Sequence, residues 1–365
     1  MRMSLVLERR AEQSRTMAFV SPMIAVALTV LAGGIIFAGQ GLDPAHALFV
    51  YFVEPMTTLW SIEELIVKAA PLVLIGVGLA VCFRANLWNI GAEGQLTVGA
   101  LFGSAIPILA PQWQSALVLP LMIALGALGG ALYGAIPALL RNRFGANEIL
   151  TSLMLVYVAQ HLLDWLVRGP WRDPQGYNFP KSVGFQDWQL LPTFGDGRVH
   201  AGAIFAIVAV LVVFVFMTRF LKGFEIRVSG TAPRAGSFGG FSRSGVVWFC
   251  FALSGALAGI AGICEVAGPG GHLQPSLSPG YGFTAIIVAF LGRLNPIGVL
   301  IAGLVLGISY LGGEAAQVEL GVSDKIAQVF QGMLLFFILA CDTLILYRIR
   351  WRNRRQTSAA TQAAT

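Results

Sequence analysis

Long apolar stretches alternate with short polar ones along almost the whole chain. Ten apolar segments stand out, at 17–38, 66–82, 96–110, 116–139, 150–167, 201–220, 246–264, 283–291, 297–312 and 326–347. Several approach the ~20 residues that an α-helix needs to cross a ~30 Å hydrocarbon layer. The segments 96–110 and 283–291 are clearly short. In lipid every backbone polar group must be paired internally, which leaves the helix as the natural spanning element. The pattern therefore predicts an all-α fold, a polytopic membrane helical bundle of about ten membrane segments, some of them broken or re-entrant.

Small residues recur within these segments at helical spacing. Gly126, Gly130 and Gly134 fall on one helix face, as do Gly255 and Gly259, and Gly303 and Gly307. Glycine at every fourth position lets two membrane helices approach closely enough for dispersion to hold them.

Two polar interruptions matter most. The stretch 83–95 carries Arg84, Asn86, Asn89, Glu93 and Gln95, with Gly91 and Gly94 between them. It is either a hairpin loop or a helix that restarts partway through the bilayer. The shortness of the next segment favours the second reading, because non-helical backbone at membrane depth persists only where it lines a cavity or is buried in protein. Glu93 is then either a site residue or the partner of Arg84. The stretch 265–282 holds Pro269, Pro275 and Pro279 among several glycines, which forbids one continuous helix. The run after it, 283–291, spans only ~14 Å at 1.5 Å per residue. It is expected to form a half-helix paired functionally with the first break, an arrangement by which transporters place helix ends at a ligand site. Weaker signals are Asp164 with His161, expected to satisfy each other; Asp342, beside the terminal arginines; Glu148, suited to a helix N-terminus; and His272, in a glycine-rich loop.

Composition agrees. The 365 residues are 56% hydrophobic and 12% charged, with mean hydropathy +0.74, whereas a soluble domain carries about 25% charged residues. The net charge of +6 is carried by residues between apolar segments, so it orients the chain rather than binding nucleic acid. With the N-terminus in the cytoplasm and strict alternation, 18 of the 24 Lys and Arg fall inside. Both termini are therefore expected to be cytoplasmic. The expected organisation is a cytoplasmic segment 1–16, a transmembrane domain 17–347, and a basic, disordered tail 348–365. Outer loops are expected at 40–64, with an amphipathic run, and at 168–200; the main interior loop is expected at 221–245. Cys82, Cys250, Cys264 and Cys341 read as small buried hydrophobes. No signal-peptide cleavage site, phosphate-binding loop, metal-ligand cluster or hydrolase motif is legible.

The stretch 83–95, Phe-Arg-Ala-Asn-Leu-Trp-Asn-Ile-Gly-Ala-Glu-Gly-Gln, closely resembles the F-R-A-x-L-x-N-I-G-x-E-G-Q signature of ABC importer permeases for simple sugars and nucleosides, within the branched-chain amino acid and ribose permease superfamily. The stretches 251–268, 280–307 and 145–155 are similar to further segments of that family, in the same order. The resemblance implies a non-enzymatic transport subunit in a bacterial inner membrane. Its implied partners are an ABC ATPase that binds ATP and magnesium, a second permease expected to be a non-identical paralogue, and an extracytoplasmic substrate-binding protein; no cofactor is expected in this chain. Candidate path residues are Asn86, Trp88, Asn89, Glu93, Gln95, Glu265, Tyr281 and Phe283. The loop 221–245 would receive the ATPase, with Ser229, Ala232, Ala235, Gly236 and Gly240 as contacts. It departs from the family's Ala-Ala and Gly-Ile pairs, having Ala235-Gly236 and Gly240-Phe241 instead. Asn86, Asn89 and Gln95 suit a cargo rich in hydroxyls or ring nitrogens. A branched-chain amino acid permease and an ion-coupled secondary transporter working through Glu93 or Glu265 are the alternatives.

Overall fold

A computed structural model describes residues 3–9, 15–194, 197–323 and 325–353. The helices in chain order are α1 (Arg15–Gly39), α2 (Pro44–Phe52), α3 (Leu59–Arg84), α4 (Ala92–Leu109), α5 (Val118–Phe144), α6 (Glu148–Arg168), α7 (Gly202–Arg219), α8 (Leu221–Thr231), α9 (Pro233–Phe238), α10 (Arg243–Glu265), α11 (Tyr281–Leu291), α12 (Pro296–Leu320) and α13 (Ile326–Leu346). Every apolar segment of the sequence falls on a helix. Among the described residues, seven helices are long and apolar enough to cross a membrane. Of the other expected segments, α4 opens on a polar turn and α11 is short, while the side chains of α13 beyond Cys341 lie outside the described residues.

The chain forms two compact units, 1–49 with 317–365, and 50–316. In the first, α1 packs on α13. Gly33 leaves room for the Phe330 ring, which also meets Phe37 at 5.6 Å between centroids. A two-stranded antiparallel pair joins β1 (Met3–Arg9) to β2 (Tyr347–Asn353), with Leu5 opposite Trp351. Arginines at 348, 350 and 352 alternate with Tyr347, Ile349 and Trp351, the period of a strand. Residues 354–365 of the expected tail, and the side chain of Asp342, lie outside the described residues.

In the second unit α3 is the central helix, buried almost without interruption from Leu65 to Phe83. Its entry is capped by the Thr58 hydroxyl, which accepts from the Ser61 amide, the usual way to satisfy a first-turn donor. Against it pack α10, α11 and α7, and α4, α5 and α10 pack on one another through glycine. The two stripes read separately in the sequence meet here: a methyl group at Gly255 would collide with the Gly130 carbonyl, and one at Gly259 with the Gly126 carbonyl. Gly262 likewise admits the Leu96 carbonyl of α4. Backbone contact of this kind is available only to a residue without a side chain. Gly303 of α12 instead makes room for the Val73 side chain of α3. The four cysteines are buried.

One of the weaker charge signals pairs differently from expectation. Asp164 takes Arg168, one helical turn on, at 2.7 Å, rather than His161, because i and i+4 are adjacent on a helix face. Glu148 opens α6 as expected and is paired with Arg141. The expected outer loop 40–64 is largely helical, with α2 and a short 3₁₀ turn before α3 begins at Leu59.

Candidate functional site

The first break is real and short. α3 ends at Arg84, and Asn86 adopts the left-handed conformation at φ 55. The Leu87 amide donates to the Cys82 carbonyl and the Asn86 amide to Phe83, both at 3.0 Å. These are the bonds that close a helix C-terminus, and asparagine is the residue after glycine best able to take the left-handed turn. Asn86 is thus exposed at the helix stop, apart from the other amides of the break. Trp88 stacks beside Phe83 and Phe290, at 5.4 and 5.9 Å.

Asn89 and Gln95 are buried and joined to each other. The Asn89 amide donates to Gln95 Oε1 at 2.9 Å and to the Ser254 hydroxyl at 3.1 Å, while Gln95 donates back to Asn89 Oδ1 at 3.1 Å. The Gly91 amide also donates to Asn89 Oδ1. The network ties the restart of the chain to α10, and these bonds use most of what the two side chains can make.

The second break starts later than the prolines suggest. A π-helical turn, Val266–Gly270, extends α10 through Pro269 before the chain unwinds over 271–280. The loop after α6 braces this unwound stretch. Ser182 donates its amide to the Leu273 carbonyl and its hydroxyl accepts from the Leu273 amide, both at 2.9 Å; the Phe185 amide donates to Gly271 at 2.8 Å.

The two breaks meet through Glu93. Its buried carboxylate accepts from the Gly282 amide at 2.6 Å and is hydrogen-bonded to the Ser278 hydroxyl. Ser278 Oγ in turn accepts from the Gly280 and Tyr281 amides. Glu93 therefore occupies the N-terminal end of α11, where free amides and the helix dipole favour a negative charge, and is not the partner of Arg84. Gly282 allows this approach, since a methyl group there would overlap the Glu93 backbone.

Beside this junction opens a cavity of about 370 Å³, lined by Lys68, Glu265, Gln274, Ser278, Tyr310 and Glu314 among others. That volume and a few converging polar groups match a small-ligand site. Lys68 is paired with Glu314 at 2.8 Å. Arg198 pairs with Glu64 at 2.6 Å, and both lie within electrostatic range of Glu265, as Lys68 does. Tyr310 presents a ring edge-on to buried Tyr281 at 5.4 Å and shares a 2.8 Å hydrogen bond with Thr284. Of the path residues expected from sequence, the structure brings Glu93, Glu265 and Tyr281 to this place. Asn89 and Gln95 stand behind it, and Asn86, Trp88 and Phe283 do not line it. Gln274, Ser278 and Tyr310 were not singled out by sequence. Ser278 carried a signal, a serine just before Pro-Gly and a helix start; Tyr310 carried none.

The stretch 221–245, expected as the interior loop, folds as α8 and α9, closed by Gly240 at φ 80 and by Ser242, whose hydroxyl accepts from the Gly245 amide. Ala232, Ala235 and Gly240 are exposed, Ser229 is half-buried, and Gly236 is buried. Phe238, missed by sequence, projects from α9 almost wholly exposed at 94%. Gly230 of α8 packs directly on the Arg84 carbonyl, so this loop abuts the first break.

Many apolar helices, two of them broken around a polar cavity, define a polytopic membrane transport protein. The pattern of the family described as branched-chain amino acid transport system, permease component, matches residues 61–339. The glucose ABC transporter permease protein TsgB13 of Haloferax volcanii is 36% identical, over 100% of this chain and 98% of its own. The guanosine ABC transporter permease protein NupP of Bacillus subtilis is 29% identical, over 87% and 92%. The nucleoside ABC transporter permease protein NupB of Lactococcus lactis is 27% identical, over 89% and 92%. The chain belongs to the branched-chain amino acid transport system permease family, and it is a permease subunit of an ABC importer.

Proposed function

We propose that the chain carries a nucleoside or a simple sugar across the inner membrane of a bacterium, through the cavity beside Glu265 and Tyr310. The cavity carries the reading. Carboxylate, amide and hydroxyl groups converge in it beside an aromatic ring, a lining suited to a neutral cargo with several hydroxyls or ring nitrogens. The named cargoes of the relatives, glucose, guanosine and nucleosides, point the same way. In this reading about ten segments are embedded in the membrane, the termini are cytoplasmic, and Glu93 ties the two breaks together beside the path.

ATP and magnesium are bound by a separate ATPase, which docks on α8 and α9 around Ser229, Ala232, Ala235, Gly236, Gly240 and Phe238. Movement there reaches the first break through the Gly230 contact with Arg84, and then the cavity through Glu93 and Gly282. A second permease, expected to be a non-identical paralogue, and an extracytoplasmic binding protein complete the assembly. The test is uptake of labelled nucleosides, sugars and leucine in cells lacking this chain. Loss of nucleoside or sugar uptake, restored by wild type and weakened in Gln274→Ala and Tyr310→Ala, is the expected result. Loss confined to leucine would replace the substrate reading, and coupled transport by the single purified chain in liposomes would overturn the ATP-driven one.

A further inference from the structure

A second, basic groove lies beside the first break, with a lining separate from that of the cavity at Glu265 and Tyr310. It measures about 660 Å³ and is formed by Phe83, Arg84 and Asn86 at the end of α3 and by Arg227, Gly230 and Thr231 of α8. No carboxylate lines it. Arg141, Arg168 and Arg198 are each paired with an acidic side chain. Arg84 and Arg227 have no acidic partner among the described residues, and they lie close enough to repel each other.

The fold forces this juxtaposition. Gly230 rests on the Arg84 carbonyl, and the Thr231 hydroxyl donates to the Arg227 carbonyl at 2.9 Å, closing the last turn of α8 beside the end of α3. Two like charges held together without a counter-charge are stabilised by an anion that bridges them. The two guanidinium groups come from different helices, so they reach a ligand from different directions. A tetrahedral phosphate offers a pair of oxygens to each planar fork, which a flat carboxylate cannot do for both. Asn86, held out by its left-handed turn, adds a neutral donor.

We propose that this groove binds a phosphate group, gripped by Arg84 and Arg227 with Asn86 beside them. The same chemistry has two sources, the headgroup of an anionic phospholipid and a free phosphate or phosphate monoester. The full-length chain is reconstituted in nanodiscs of phosphatidylcholine alone or with phosphatidylglycerol. Retained phosphatidylglycerol is counted by native mass spectrometry, and binding of inorganic phosphate and of adenosine monophosphate is measured in the phosphatidylcholine discs. Wild type is expected to retain phosphatidylglycerol selectively, which assigns the lipid source, or to bind a soluble phosphate, which assigns the other. Arg227→Gln should weaken that binding about tenfold, the size of one lost charge-assisted hydrogen bond. Arg84→Gln should do the same, and exposed Arg234→Gln outside the groove should change nothing. Arg227 is exposed on α8, so its variant reports even where Arg84→Gln fails to fold. No binding of either probe, or equal binding by wild type and Arg227→Gln, overturns the proposal.

Discussion

Replacing Glu93 separates a structural tie from a chemical role. The carboxylate accepts from the Gly282 amide at 2.6 Å and is bonded to Ser278, and Glu93 is buried. Glu93→Ala strands two buried donors, each costing about 1–3 kcal/mol when left unpaired, and opens a cavity besides. A loss of roughly 3–5 kcal/mol follows from these contributions. Glu93→Gln keeps the shape. Its carbonyl oxygen still accepts from Gly282, but Ser278 Oγ already accepts from the Gly280 and Tyr281 amides and has no lone pair for the new amide, so the charge assistance and the Ser278 bond are lost, about 2 kcal/mol. Thermal unfolding in detergent should therefore rank wild type above Glu93→Gln, and Glu93→Ala far below. Uptake should follow the same order, with Glu93→Gln retaining substantial transport. A Glu93→Gln variant as stable as wild type yet inactive would refute the reasoning, since it would mean that the carboxylate works on a proton or on the cargo.

Other expectations follow from packing and pairing. Gly255→Val drives a side chain into the Gly130 carbonyl and should cost about 2–3 kcal/mol or prevent folding, seen as loss of the monodisperse peak in size-exclusion chromatography, while Gly39→Ala, with nothing near its new methyl group, leaves that peak unchanged. Ser254→Ala removes one acceptor from Asn89 but leaves Gln95 in place, so a drop of only about 1 kcal/mol is expected in the same unfolding assay. His200 is buried in the loop before α7, with Nδ1 accepting from the Gly202 amide and Nε2 without a partner, and burial pushes its pKa down to about 4. The unfolded chain binds its proton near pH ~6.5, so this stability is complete above that pH and is lost as pH falls toward 4. At about 1.4 kcal/mol per unit the loss reaches roughly 3 kcal/mol; unfolding measured between pH 7 and 4 should show it in wild type and not in His200→Gln.

Much was legible in the chain itself. Burial in lipid demands long apolar helices, so the apolar helices and their order could be read directly, seven of them, among the described residues, long and apolar enough to span. The breaks could be read too, because Pro269, Pro275 and Pro279, and the polar run from Arg84 to Gln95, cannot continue an apolar helix. Glycine spacing announced that helices would touch at Gly130 and Gly255. What touched what was decided only in three dimensions. Spacing cannot say that the α5 stripe meets the α10 stripe, nor that Glu93 crosses 189 residues to the Gly282 amide rather than pairing with Arg84 nine residues away. The amides show the same limit. Asn86, Asn89 and Gln95 look alike as polar residues in one break, yet one ends a helix, two bind each other, and the cavity takes Gln274 and Tyr310 from elsewhere. Hydropathy fixes which residues must leave water, a property of each residue alone. A hydrogen bond or a cavity needs partners distant in sequence, and only the folded chain brings those together.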